Sequence, residues 1–358
     1  MTDDVRRKIG VLTFHRCFNY GSYWQARCLV EGLRGLGHDA ELLDHDDDAV
    51  NRAEARCLMQ PALPHRTARE DMPALKIKAR KFVEAVDALP LSPRFALDRP
   101  EDSPRYDAVV VGSDEVWNFR HPWFGGKPIF FGQGLNAGRL VSYAASCGNY
   151  DAGHGMGDEW AAMLRGFDAV SVRDANSLAL VSGALGREPA LVLDPCLQFP
   201  EVIAGTDAGD AEPYAVVYGH GLPEWLAEAV RAWSVRASVR LVSVGYRNGW
   251  ADAQRIDASP AEFAGLMAGA RAVVTNFFHG CVFALVNGKP LVTAPSDYRF
   301  NKVRDLAAKL GMRHRIVTAE TPAGQVGALL DTPVEQAVTE RIAALRRSSG
   351  KFFRAALA

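Results

Sequence analysis

No Cys-x-x-Cys or Cys-x-x-x-Cys pair occurs among the six cysteines, at positions 17, 28, 57, 147, 196 and 281. That spacing argues against a structural zinc site and a disulfide scaffold, and it fits a reducing compartment. No metal is expected. No apolar stretch approaches the roughly 18 residues of a membrane span. The first residues, MTDDVRRKIGVLTF, lack the long apolar core of a secretory signal. The expectation is a cytoplasmic protein. Neither sign of charge dominates: Lys plus Arg is 41 and Asp plus Glu is 42, a net charge of −1. Bulk attraction to nucleic acid or an anionic membrane is thereby excluded, while a local basic pocket for a small anion is not.

What the chain does have is hydrophobic alternation. At 48% hydrophobic it is not a disordered chain, and 358 residues suffice for two cores. Ile9 to Phe14 reads as a buried strand, His15 to Ser22 as a turn, Tyr23 to Leu36 as an amphipathic helix stopped by Gly37, and Ala40 to Asp44 as a second strand. Strand, loop, helix, strand opens a Rossmann-like unit. The stretch at about 45–105 departs from it, with many prolines and one helical segment, Leu75 to Leu89. Further strands are expected at Tyr106 to Val111, Arg139 to Ala145, Ala169 to Val172 and Ala190 to Leu193. Residues 201–212 read as a linker. A second series follows, with strands at Tyr214 to Tyr218, Val239 to Val244, Ala272 to Thr275, Pro290 to Thr293 and Arg315 to Val317. Helices fall between them at Trp225 to Val235 and Ala261 to Met267, and a final helix spans Val334 to Phe353. The fold class is α/β, with two Rossmann-like doubly wound domains, 1–200 and 213–333, facing a cleft, and a terminal helix at 334–358.

In such sheets ligands sit beyond the carboxyl ends of the strands, so polar motifs there are the candidates. Asn19, Gly21 and Ser22 follow the first strand and Gln25 lies one turn on. They present N–H groups to an anion or form an ordinary strand-to-helix turn. The motif is not Gly-x-Gly-x-x-Gly, so no dinucleotide is indicated. Gly112, Ser113, Asp114, Trp117 and Asn118 follow another strand. A capped helix start would explain the first three, whereas an indole beside polar groups suits a sugar face. Ser146 precedes Cys147, read as a packed thiol, and Arg173 ends a strand as an anion clamp or an ion-pair partner. His279 and Gly280 stand between an apolar strand and an apolar helix, after Asn276 and Phe277; a histidine there can donate a proton. Lys302 and Arg304 offer charge for a phosphate, or are a solvated helix start. Tyr218-Gly219-His220-Gly221 is the one faint candidate for a diphosphate loop.

Taken in order, TFHRCFNYGSYWQA, VVVGSDEVWN, VSYAASCG, VSVRD, LVLDPCL and TNFFHGCVFALVNGKP resemble the polysaccharide pyruvyl transferase family. The resemblance implies a fold of the B-type glycosyltransferase kind. It also implies transfer of a pyruvyl group from phosphoenolpyruvate to two sugar hydroxyls, with no cofactor. By the same resemblance His279 and Arg173 are catalytic, and Lys302, Arg304, Asn276 and Gly280 bind the donor. The earlier motifs, from Asn19 to Ser146, then shape the acceptor side. The acceptor would be a saccharide or lipid-linked saccharide, any membrane contact would be peripheral, and a homo-oligomer is compatible with the chain. Where the family carries Asp-Ser or Asp-Arg, this chain has Asn276-Phe277. The alternatives are a glycosyltransferase using a nucleotide sugar, and a family member serving as a binding subunit.

Overall fold

The computed structural model describes residues 6–61, 65–204 and 212–358. The chain forms two compact units. The first contains the residues up to Glu54, Val86–Val202 and Ala343–Ala358; the second contains Ala55–Ala85 and Ile203–Ile342. The departure expected at about 45–105 is therefore divided, its middle part belonging to the second unit.

In chain order the first series is β1 (Lys8–Leu12), α1 (Tyr20–Gly35), β2 (Asp39–Leu42), β3 (His45–Asp46), α2 (Asp48–Met59), α3 (Met72–Asp87) and β4 (Phe95–Ala96). Then come β5 (Ala108–Val111), β6 (Leu140–Ser142), α4 (Asp158–Arg165), β7 (Ser171–Val172), α5 (Ala175–Leu185), β8 (Ala190–Leu191) and α6 (Pro195–Gln198). The main sheet of the first unit runs β2-β1-β5-β6, all parallel, with Ile9 opposite both Ala40 and Ala108. β5 is buried at every position, as a strand covered on both faces must be. Single bridges, Val141 to Ala169 and Ala145 to Val172, continue β6 toward β7. The core beside the sheet is rich in rings: Phe14 stacks on Phe124 at 4.2 Å and meets Phe130 edge-on at 5.1 Å.

The second series is β9 (Tyr214–Tyr218), α7 (Glu224–Ala237), β10 (Arg240–Val244), β11 (Ala253–Arg255), α8 (Pro260–Gly269), β12 (Ala272–Thr275) and α9 (Phe278–Val286). It ends with β13 (Leu291–Thr293), α10 (Asp297–Leu310), α11 (Ala323–Asp331) and α12 (Gln336–Leu357). Five parallel strands lie in the order β11-β10-β9-β12-β13. α8 starts on a capping box, Ser259 with Glu262, and Pro260 in its first turn leaves no N–H to satisfy.

One expected strand needs correction. Arg315 to Val317 is not a strand: Arg313–Arg315 is a helical turn, and only Ile316 bridges to Thr293. The Arg315 side chain is fully buried and donates to the carbonyls of Leu291, Leu329, Thr332 and Pro333, which pins the segment as a turn. The helix α2 and the strand β11 went unread, and α12 runs to Leu357. The expected linker, 201–212, falls mostly on residues 205–211, outside the described residues.

Candidate functional site

In the first unit the turns after β1, β5 and β6 are tied by one hydrogen-bonded network. Asn19 caps α1, its Oδ1 accepting from Gly21 N at 2.8 Å and Ser22 N at 3.2 Å. Gln25 is fully buried and links two turns. Its Nε2 donates to Thr13 Oγ1 at 2.9 Å, and its Oε1 accepts from the Ser113 hydroxyl at 2.7 Å and Ser113 N at 3.2 Å. The Gly112–Ser113 peptide is cis and Asp114 has φ +63°. A side chain at Gly112 would run into the Tyr143 carbonyl, so this turn demands glycine.

The charged part of the network is Asp114, Arg173 and Asp194. Arg173 Nη2 donates to Asp114 Oδ1 and Nη1 to Asp194 Oδ2, both at 3.0 Å. The Arg173 side chain is 1% exposed and that of Asp114 is 12% exposed. Burial works against the Arg173 cation, but Asp114 and Asp194 outweigh it and hold its pKa above the ordinary value. Ser22 Oγ donates to the other Asp114 oxygen at 2.9 Å. Asp174 caps α5 and accepts from Ser146 Oγ at 2.6 Å. Two carboxylates on one guanidinium leave this group net negative. It is suited to accepting hydrogen bonds from hydroxyls rather than to clamping a phosphate.

Trp117 is no sugar platform. It is 1% exposed, donates Nε1–H to the Phe130 carbonyl at 2.8 Å and stacks on Phe131 in the core. A buried indole satisfies its single donor on nearby backbone, which the sequence pattern cannot distinguish from ligand contact. Asn118 is 2% exposed and donates to Glu115 and Asn149, again inside the fold. Cys147 is fully buried, and burial first, then the neighbouring Asp174, pushes its thiol pKa well up, so it is a packed thiol.

In the second unit the carboxyl ends of β9, β10 and β12 carry the polar side chains. Thr275 Oγ1 donates to the Tyr218 carbonyl at 2.6 Å and accepts from Phe277 N at 3.0 Å, which shapes the turn into α9. Gly280 exists for packing: a Cβ there would collide with the Thr275 side chain. His279 stands in the first turn of α9 and is 8% exposed. Asn276 is 1% exposed; its Nδ2 donates to the His220 carbonyl at 2.7 Å, and its Oδ1 is buried with no hydrogen-bond partner among the described residues. Phe277 is uncharged, yet the guanidinium of Arg299 lies 4.4 Å from its ring centroid.

The basic residues expected on α10 divide. Arg304 donates Nε to its neighbour Asp305 at 2.9 Å, while Lys302 is partly buried. Arg299, not singled out above, reaches His220 instead, at 3.0 Å. Its signal was present, since it stands three residues before Lys302 and so on one helix face with it. Lys78, from α3, was also missed, because it lies in the stretch set apart from the sheets.

Among the described residues no helix is long and apolar enough to cross a membrane. No curated protein matches the chain significantly. Solved structures that share its fold include the following two. UDP-GlcNAc 2-epimerase from Neisseria meningitidis, bound to UDP-GlcNAc, has TM-score 0.52 and 9% identity over 97% of this chain and 99% of that one. S. aureus MnaA with UDP has TM-score 0.50 and 12% identity over 90% of this chain and 86% of that one. Identities this low establish the fold alone, a pair of Rossmann-like units of the B-type glycosyltransferase kind. The family model of the polysaccharide pyruvyl transferases goes further, matching residues 19–298, from the Asn19 cap to the first turn of α10. The stretch includes the Asp114 and Arg173 network and the His279 turn, and with most of its length so matched the chain belongs to the polysaccharide pyruvyl transferase family and is a transferase.

Proposed function

We propose that the protein moves the pyruvyl group of phosphoenolpyruvate onto two hydroxyls of a saccharide, forming a cyclic ketal and releasing phosphate. The observation that carries this is His279, held in the first turn of α9 directly after β12 and largely shielded from water. A shielded imidazole of that kind is a proton donor for a carbon that water protonates slowly. One proton goes to the methylene carbon of the donor, which becomes the methyl group while C2 takes cationic character. A sugar hydroxyl adds to C2 and loses its proton. A second hydroxyl then displaces phosphate, whose oxygen takes the remaining proton. Lys302 offsets the charge of the leaving phosphate. Arg173, committed to Asp114 and Asp194, positions Asp114 rather than touching the donor.

Calorimetry with phosphoenolpyruvate, on wild type, His279→Ala and Arg173→Ala, tests the reading. Wild type is expected to bind in the micromolar to millimolar range, and phosphate release with a diol-bearing saccharide is expected to vanish in His279→Ala. Absence of donor binding by folded protein, or turnover of a nucleotide sugar in its place, overturns it.

A further inference from the structure

Beside the Asn276 turn the second unit gathers three bases that the chemistry above leaves unused. They come from three separate elements. Lys78 of α3 is 2% exposed; its ammonium donates to the Gly245 carbonyl at 3.0 Å and sits 4.7 Å from the Tyr246 ring centroid. His220 follows β9, and its Nε2 meets Arg299 Nη2 at 3.0 Å. Since a guanidinium only donates, that ring nitrogen is the acceptor and the imidazole is neutral. Arg299 is in turn held over the Phe277 ring.

Two of the bases weigh on the third. Burial, then Arg299, then Lys78 push His220 down to about 4. Burial pushes the Lys78 ammonium down to about 7, against the opposing influence of the Cys57 thiol of α2. Burial disfavours the ammonium, nearby cations disfavour the imidazolium, and an anion placed among them opposes both. The Asn276 amide is a second, separate sign. Its orientation is set by the bond to the His220 carbonyl, and its buried Oδ1 still lacks a donor among the described residues. An oxygen bearing a hydrogen would supply one.

We propose that Lys78, His220 and Arg299 form a binding site for a phosphate group, walled by the rings of Tyr246 and Phe277. Donors arriving from three elements match a tetrahedral oxyanion better than a planar carboxylate, which takes a two-pronged partner. Rings of this kind would pack against an apolar substituent on the phosphate. The ligand is either a phosphate ester or free phosphate. If it is the donor ester or the phosphate released from it, the inference rests on the function proposed above. Binding takes up a proton, because Lys78 becomes charged beside the anion, while His220 stays neutral and offers its single N–H. Among the described residues, Cys57, Tyr246 and Arg299 face these two.

The test is calorimetry on the full chain with inorganic phosphate and with sulfate, whose charge is constant between about pH 6 and 9. Sulfate affinity is expected to fall by roughly tenfold per pH unit above 7, and the heat to depend on the buffer's ionisation enthalpy. Arg299→Gln, at a partly exposed position, is expected to weaken both anions about tenfold or more. Lys78→Met is expected to remove the pH slope. No binding by wild type, unchanged affinity in Arg299→Gln, or a slope that survives in folded Lys78→Met overturns the proposal. Phosphoenolpyruvate that competes with phosphate and is weakened in Arg299→Gln identifies the ester as ligand. Phosphate that binds through Arg299 without such competition identifies the free anion. Phosphate binding with no pyruvyl transfer to any acceptor removes the function proposed above and leaves this site standing.

Discussion

At Arg173 the cost of burying a charge is met by two carboxylates at 3.0 Å. Removing the guanidinium leaves Asp114 and Asp194 facing each other in the interior. Arg173→Ala is therefore expected to destabilise the first unit by about 3–5 kcal/mol, read from urea unfolding. A loss below about 1 kcal/mol would mean that water or Ser22 replaces the cation, and the positioning role would fall. His45 sets a pH limit in the same unit. It is 5% exposed, its Nε2 lies 2.9 Å from the Thr13 carbonyl, and burial first, then the charge of His15, lowers its pKa from 6.5 to about 3. Its neutral form is the folded one, so the unfolded chain binds the extra proton. The stabilisation is complete above pH 6.5 and is lost as the pH falls toward 3, at up to about 1.4 kcal/mol per unit. Asp44 adds to this below 3.8: burial raises its pKa, but Arg16 and His15 prevail and hold it well below the usual carboxylate range. Thermal unfolding from pH 7 to 4 should show the slope, and His45→Asn should flatten it above pH 4. An equal slope in the variant would assign the acid sensitivity elsewhere.

At the scale of elements, close approach is set by glycine and entry by caps. Gly280 lets α9 lie against Thr275, which in turn bonds the Tyr218 carbonyl. Gly280→Ala must displace either the helix or that hydroxyl, an overpacking worth about 1–3 kcal/mol. Because His279 is the adjacent residue, turnover is expected to fall with stability. Retained activity in a destabilised Gly280→Ala would show that the His279 position tolerates a shift of α9. Ser259→Ala is the contrast: it removes half of the α8 capping box for about 1 kcal/mol and should leave activity alone. Elements of this kind were legible where periodicity was strong. β9 and β12 lie where the alternation placed them, because strands buried on both faces read as unbroken apolar runs. The helix α2 was not legible, since its sequence, DAVNRAEARCLM, is mostly polar and charged.

At the scale of the whole molecule the chain returns to its beginning. α12 starts in the second unit, yet from Ala343 onward it belongs to the first. There Phe353 stacks on Tyr143 at 3.9 Å, Ser349 Oγ accepts from Leu193 N at 2.9 Å, and Arg346 donates to the Leu197 carbonyl at 2.9 Å. Truncation after Ile342 is expected to loosen the first unit selectively. Hydrogen exchange should accelerate in β6 and around Leu193 while β9 and β12 keep their protection. Uniform loss of protection in both sheets would show that the tail stabilises the fold in some other way.

The alternating apolar runs and the glycine and polar turns after them determined two Rossmann-like units and the family to which they belong. They did so because parallel strands need apolar side chains on both faces, whatever the rest of the chain does. His279 was legible for the same reason, standing where such a strand gives way to a helix. What charge and burial would make of each polar residue was decided only by folding. Arg173 became the partner of two acids, Trp117 a core residue, and Arg315 a cap for carbonyls. Lys78 and Arg299 met His220 from positions 142 and 79 residues away along the chain. Pairings over such distances carry no local signal, since only the packed structure sets which side chains share a dry and charged surrounding.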